Sequence, residues 1–252
     1  MKFLIQKYPV LDMETEIVKD IIDTKRKHFH SYVIMHINEL DQVSINEISD
    51  GIPIGSIEFV QKWLKLVHNI DRINPIEIPS ILRKDEFLKR TYKIVPFEQI
   101  PSSGNFFIKD VSQLKGFSYN GYIEYLKNNV EFDFIDKTHL FQVSEIVNVL
   151  SEYRVYIING KIEAISHYDG DPLVFPDAVL INKANIMWST QKDYPKSCTI
   201  DLMVTDRGTS FCECHPFISV GLYSSLWGTN LLQAYKDGID YVIKHNTKIS
   251  EQ

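Results

Sequence analysis

Cysteine is scarce in this chain. The three present, Cys198, Cys212 and Cys214, are an odd number crowded near one another, which excludes a disulfide framework and fits a reducing compartment. Glycine and proline are also sparse, 11 and 10 among 252 residues, and no low-complexity tract or internal repeat is present, so collagen-like and linker-dominated chains are excluded. No run approaches the roughly 18 to 20 apolar residues that span a bilayer. The opening MKFLIQKYPVLDMETE contains no uninterrupted apolar core of signal-peptide length. Positive charge is in deficit: 27 basic against 33 acidic residues give a net charge of −6. That argues against a nucleic-acid binder driven by phosphate contacts, while leaving room for a local basic pocket around a nucleotide. The expectation is a soluble, cytoplasmic, fully folded protein without membrane or nucleic-acid partners.

What is present is an alternation of strand-like and helix-like segments. Residues 3–6 form a short apolar opening that could be a strand, and residues 13–29 have helical spacing through Ile17 and Ile21. Residues 32–37 (YVIMHI) predict a buried strand. Residues 50–55, with Gly51, Pro53 and Gly55, predict a loop. Ser56 reads as a helix N-cap, and Phe59, Trp63, Leu66, Val67 and Ile70 follow on one face. These segments predict a small α/β domain over residues 1–75, with the Pro-containing residues 74–79 as linker. A short helix is predicted over 80–89, and a strand over 106–110 in which Lys109 interrupts an apolar run. That lysine either grips an anion or points to water from an edge strand. Residues 141–158 are nearly continuous strand-like sequence ending at Asn159-Gly160, the strongest hairpin signal in the chain. Its two-residue closure pairs Ile158 with Lys161 and Arg154 with Ile165. Tyr153, Val155 and Ile157 then face a core, and Glu152, Arg154 and Tyr156 face solvent or a polar cleft. Residues 168–172 predict a turn, and residues 175–192 and 226–244 predict helices.

The densest chemistry lies in residues 199–227, TIDLMVTDRGTSFCECHPFISVGLYSSLW. Two strands joined by Asp206-Arg207-Gly208, with glycine closing a three-residue loop, pair Thr205 with Thr209 and set Asp201 opposite Glu213. His215 lies on the same face two residues on. A four-residue loop would instead pair Asp201 with Cys212 and turn Glu213 away. Two facing acids repel. They sit on a solvated sheet face or they hold a cation, and Mg²⁺ prefers carboxylate oxygens together with phosphate. The Cys-x-Cys-His run lacks the second ligand pair a zinc site requires.

The order of three motifs carries a resemblance. Phe107-Ile108-Lys109 is followed by Lys115-Gly116-Phe117. Ser151-Glu152-Tyr153-Arg154-Val155-Tyr156 comes next, and then Asp201 with Glu213-x-His215, ending Val220-Gly221-Leu222-Tyr223. Together with residues 52–60 (IPIGSIEFV), this resembles the ATP-grasp superfamily and, within it, the clade named for an arginine and two lysines, the R2K clade. The resemblance implies an α/β (α+β) ATP-grasp fold in which two subdomains clamp ATP. They would occupy residues 76–252, with a hinge near 141–150, after the N-terminal α/β domain. It implies ATP-binding roles for Lys109, Lys115 and Glu145, with Lys93 and Arg90 adding charge. Arg154 and Lys115 would be catalytic, and Asp201, Glu213 and His215 metal-binding, for Mg²⁺ or Mn²⁺. The implied reaction is a ligase activating a small carboxylate through an acyl phosphate for attack by an amine or thiol, the acid being an amino acid, a peptide or similar. One departure stands out: His215 occupies a position where the clade usually has asparagine. Imidazole suits Mn²⁺ or Zn²⁺ better than Mg²⁺ and can transfer protons. A nucleotide- or partner-binding module without turnover, and a kinase-like transfer to another acceptor, are the competing readings.

Overall fold

In the computed structural model, described here except for residues 10–11, 27–28, 127–134, 224–225, 227, 229 and 248–252, three sheets are arranged around one cleft. The first is parallel, in the order β2-β1-β3, from β1 (Lys2–Gln6), β2 (Ser31–Met35) and β3 (Gly51–Ile54). Helix α1 (Met13–Ile21) makes the β1–β2 crossover, as parallel strands require. The Asp12 carboxylate caps it by accepting from Thr15 N at 2.9 Å. The predicted helix over 13–29 leaves α-geometry at Ile21 and continues as a π-helical stretch, Ile22–Arg26; residues 27–28 lie outside the described residues.

Two predictions in this unit are exchanged. The predicted buried strand is the edge strand β2, with Val33 and Ile34 exposed, whereas the predicted loop is β3, buried throughout. Burial here depends on which strand is sandwiched, a property that local composition does not carry. Ser56 does cap α2 (Ile57–His68), accepting from Phe59 N at 3.2 Å, and Phe59 and Trp63 are buried beneath it.

The second sheet is antiparallel, in the order β11-β10-β8-β9, from β8 (Val149–Ile158), β9 (Lys161–Gly170), β10 (Cys198–Thr205) and β11 (Gly208–Pro216). The third, also antiparallel, runs β4-β7-β5-β6, from β4 (Tyr92–Pro96), β5 (Asn105–Asp110), β6 (Ser118–Tyr122) and β7 (Leu140–Ser144). The strand-like run over 141–158 is therefore divided between two sheets, and residues 145–148 connect them. The Asn159-Gly160 turn forms as predicted, both residues at positive φ, and pairs Ile158 with Lys161. A register shift between Tyr156 and Ile157 moves Arg154 opposite Ser166 instead of Ile165. The predicted turn at 168–172 begins later, because β9 continues to Gly170.

Strand β8 faces two cores. Tyr153, Val155 and Ile157 pack on α3 (Ala178–Ser189), whose Ile181, Ala184 and Trp188 lie against them. On its other side, Tyr156 and Ile158 join a cluster that runs through α4 (Asn230–Thr247) into the parallel sheet. The face predicted to be solvent or polar cleft is thus polar at Glu152 and Arg154 and core at Tyr156. The same apolar cluster includes Phe3, Leu4, Phe59 and Trp63 with Phe217, Leu231 and Tyr235, so the N-terminal sheet and the β8 sheet share one core. Gly238 of α4 makes this approach possible: a Cβ there would lie 2.2 Å from the Phe217 carbonyl oxygen. Residues 74–79, predicted as a linker, meet β11 through a bridge between Ile76 and Cys214. Among the described residues, no helix is long and apolar enough to cross a membrane.

Candidate active site

The β10–β11 hairpin sets the site. Thr205 pairs with Gly208, one residue tighter than the predicted Thr205–Thr209 closure. A bulge then leaves Cys212 without a partner and restores the pairing of Asp201 with Glu213. The predicted pairing is present, but a bulge produces it and not the predicted loop. Cys212 lines the cleft, while Cys214 packs in the core beside Cys198; all three are free thiols. Trp227, at the end of the chemistry-rich stretch, lies outside the described residues.

Three β-sheet residues converge on the facing acids. Arg154 of β8 lies opposite Asp201 and grips it bidentately, Nε to Oδ1 and Nη2 to Oδ2, each at 2.7 Å. Its Nη1 donates to the Val220 carbonyl. The guanidinium carbon lies 5.7 Å from the Tyr168 ring and 5.1 Å from the Tyr223 ring, which stack on each other at 5.2 Å. Burial disfavours the charge of Arg154, but hydrogen bonds and the charge of Asp201 outweigh that and hold its pKa above the ordinary value. Lys109 of β5 reaches from the third sheet to pair with Glu213, so it is not a lysine pointing to water. Burial pushes Glu213 upward, yet the hydrogen bond from His215 and the charges of His215 and Lys109 bring its pKa well below the carboxylate range. His215 Nε2 lies 3.3 Å from Glu213 Oε1 and 3.9 Å from Asp201 Oδ2.

One ligand atom each from Asp201, Glu213 and His215 lies within 4.8 Å of the others, so two carboxylates and an imidazole could share one divalent cation. This donor set fits Mg²⁺, and fits Mn²⁺ better on account of the nitrogen.

Two cavities are lined in part by residues of the β10–β11 hairpin. One, of about 320 Å³, is lined by Lys109, Lys115, Arg154, Glu213, His215 and Tyr223 among others. The other, of about 190 Å³, lies between the two antiparallel sheets and is lined by Arg90, Glu145, Ile146, Val147, Glu152 and Met203 among others. Lys115 projects from a residue at φ 53° and points toward Glu58 Oε1, 3.4 Å away. Arg90 is buried, its Nη1 held by Leu88 O, Ser210 Oγ and Phe211 O at 3.1, 2.6 and 2.8 Å, so it braces the cavity wall. Lys93 is exposed on β4 and lines neither cavity.

Several members are not visible in the sequence. Arg207, in the hairpin turn, bonds Glu145 across the mouth of the smaller cavity. Glu58 faces Lys115, and the stacked rings of Tyr168 and Tyr223 both lie near Arg154. Each comes from an element remote in sequence, so no local spacing could reveal it.

Solved structures place this arrangement in a fold class. The chain is similar to the D-alanine–D-alanine ligase from Bacillus anthracis complexed with ATP, at 14% identity and TM-score 0.53, over 100% of this chain and 99% of that one. It is also similar to the D-alanyl-alanine synthetase A from Vibrio cholerae O1 biovar eltor, at 13% identity and TM-score 0.53, over 97% and 98%. The fold is therefore that of the ATP-grasp proteins, an ATP-binding class that includes ligases. The family described as ATP-grasp domain, R2K clade family 2, matches residues 87–227, more than half of the chain, and the protein belongs to that family. A comparison with curated proteins finds no match.

Proposed function

We propose that the protein is an ATP-dependent ligase that joins a small carboxylic acid, such as an amino acid or peptide, to an amine or thiol through an acyl phosphate. The observation supporting this most directly is the gathering of Lys109, Lys115, Arg154, Glu213 and His215 around the 320 Å³ cavity, with Asp201 beside Glu213 and His215. Phosphoryl transfer needs positioning and charge neutralisation more than covalent help from the protein. Lys109 and Lys115 would bind phosphate oxygens, and Arg154 would face the transferring group. A substrate carboxylate oxygen attacks the γ-phosphorus, the β–γ bridging P–O bond breaks, and ADP leaves. The amine or thiol then attacks the acyl carbon, its proton is lost, and phosphate departs with the C–O bond electrons. Asp201, Glu213 and His215 would hold divalent metal, Mg²⁺ or Mn²⁺, which supplies neutralisation of the triphosphate charge.

The smaller cavity would receive adenine, against residues 145–147 at the hinge, with Glu145 toward the base or ribose. The proposed division is an N-terminal domain over 1–75 and an ATP-grasp domain over 76–252, working in the cytoplasm. In this state four of the cations at the cleft already have an acid: Lys109–Glu213, Lys115–Glu58, Arg154–Asp201 and Arg207–Glu145. Binding of metal–ATP would therefore exchange partners within a pre-charged cleft.

A second reading, nucleotide binding without turnover, draws support from His215 in the metal cluster. The deciding experiment incubates the protein with ATP, Mg²⁺ or Mn²⁺, pooled amino acids and hydroxylamine. ADP, phosphate and an amino-acid hydroxamate are expected. Nucleotide binding without any of these products would support the second reading instead.

A further inference from the structure

Glu14, in the first turn of α1, is a carboxylate buried at 6% exposure within the shared core. A buried carboxylate is costly unless fully bonded. Its bonds lead to the site. Glu14 accepts from Gly221 N at 2.9 Å, from Val220 N at 3.3 Å and from Tyr235 Oη at 2.7 Å.

The two amides belong to the 219–223 segment, whose other groups hold Arg154. The Val220 carbonyl accepts from Arg154 Nη1, and the Tyr223 ring lies against the guanidinium. The Gly221 carbonyl accepts from Tyr156 Oη at 2.7 Å, and that oxygen accepts in turn from Tyr223 N at 3.0 Å. Ser219 and Gly221 have φ of 47° and 59°. Such left-handed residues persist where surrounding bonds over-determine the backbone. A Cβ at Gly221 would lie 3.5 Å from Arg154 Nη1, so the segment approaches the arginine closely.

We propose that Glu14 is a positioning residue: from the N-terminal unit it fixes the 219–223 segment and, through the Val220 carbonyl and the Tyr223 ring, the plane of the Arg154 guanidinium. Asp201 holds one edge of that plane and the Val220 carbonyl holds Nη1. A carboxylate suits the task because it accepts from two consecutive amides and a phenol at once, which a neutral side chain with a single acceptor oxygen does not. The N-terminal unit thus supplies part of the orientation of the residue that the proposed ligase reading aims at the transferring group, and the role in turnover rests on that reading.

Glu14→Gln keeps the shape and removes the charge. In hydrogen–deuterium exchange of the full chain above pH 7, where the carboxyl is ionised, this variant should exchange the 217–223 segment about tenfold faster, the weight of one charge-assisted bond. The segments of β10 and β11 should keep wild-type rates. The Arg154 Nε–Hε resonance should shift in the same variant. Tyr235→Phe, which removes one donor and leaves both amides, should act in the same direction more weakly, and it serves if the first variant does not fold. With ATP and pooled amino acids, Glu14→Gln should release phosphate more slowly at an unchanged KM for ATP. Faster exchange with an unmoved Arg154 resonance would reduce Glu14 to a core tie and overturn the proposal, as would unchanged exchange. A wild type that releases no phosphate would overturn the ligase reading alone, leaving exchange and resonance to decide Glu14.

Discussion

Arg154 and Asp201 sit directly across from each other on adjacent antiparallel strands and form a two-bond fork, both contacts 2.7 Å, with the aspartate side chain only 3% exposed. A planar guanidinium matched to a carboxylate is the geometry for which lysine is no substitute. Arg154 lines the larger cavity while Asp201 is buried behind it, so the integrity of the pair underlies both stability and the proposed chemistry.

Removing the arginine leaves a buried carboxylate unpaired. Arg154→Ala should cost about 3–5 kcal/mol, the penalty for breaking such a pair. Urea denaturation would measure it. The double variant Arg154→Ala, Asp201→Asn should recover much of the loss, because the orphaned charge disappears.

Lys109 and Glu213 are more accessible, and each is replaceable with less damage to the fold. Lys109→Ala or Glu213→Ala should cost on the order of 1 kcal/mol in the unliganded protein. Both should abolish the rise in melting temperature that ATP with Mg²⁺ or Mn²⁺ gives the wild type. Absence of that rise in the wild type itself would count directly against nucleotide binding in this cleft.

His215 is the proposed metal ligand that would set the metal preference. His215→Asn replaces an imidazole nitrogen with an amide oxygen donor, and the preference should move from Mn²⁺ toward Mg²⁺. Melting curves with ATP and each metal in turn would compare the half-saturating metal concentrations. An unchanged ratio would place His215 outside the metal sphere.

The Arg207–Glu145 pair is half-exposed at the cleft mouth, its side chains 51% and 30% accessible. Surface pairs of this kind are worth about 0–1 kcal/mol. Arg207→Ala should therefore leave stability nearly unchanged. Glu145→Ala should weaken binding of ATP and ADP alike, since the residue is proposed to meet the base or ribose. Titration calorimetry of the two variants would separate the roles.

The pKa of Glu14 is raised by burial from 4.5 to about 7, against the pull of the Tyr235 hydroxyl and the backbone amides. A raised carboxyl pKa means that the folded chain holds a proton that the unfolded chain releases between those values. This group's contribution to stability is full below pH 4.5 and declines as pH rises to 7, by about 3 kcal/mol at the upper end. Glu14→Gln should remove that slope from a plot of urea-unfolding free energy against pH. The charges and hydroxyls facing Glu14 are those of Asp12, Tyr8, Tyr156 and Tyr235.

Much of the site was legible because strand alternation and turn chemistry are local. The two glycine-containing turns put Arg154, Asp201 and Glu213 on neighbouring strands of one sheet, although a bulge and not the loop sets the Asp201–Glu213 register. Lys109 was ambiguous between an anion grip and an edge position, since a single strand does not disclose which sheet will face it. Glu14, Glu58 and Arg207 were invisible because their partners are 206, 57 and 62 residues away. Lys93 and Arg90 illustrate the converse. Both are basic and near the cleft in sequence, yet one is exposed on β4 and the other is bound to backbone carbonyls and a serine hydroxyl.

The sequence by itself determined the alternation of elements, the helix cap at Ser56, the Asn159-Gly160 turn and the order of basic and acidic motifs, all of which are properties of short stretches. Only the tertiary structure decided that the glycine- and proline-containing 51–54 stretch is a buried strand, that the 141–158 run divides between two sheets, and that a bulge at Cys212 aligns Glu213 with Asp201. Those outcomes depend on what packs above and beside each strand, and burial is a property of neighbours that no single stretch of sequence contains.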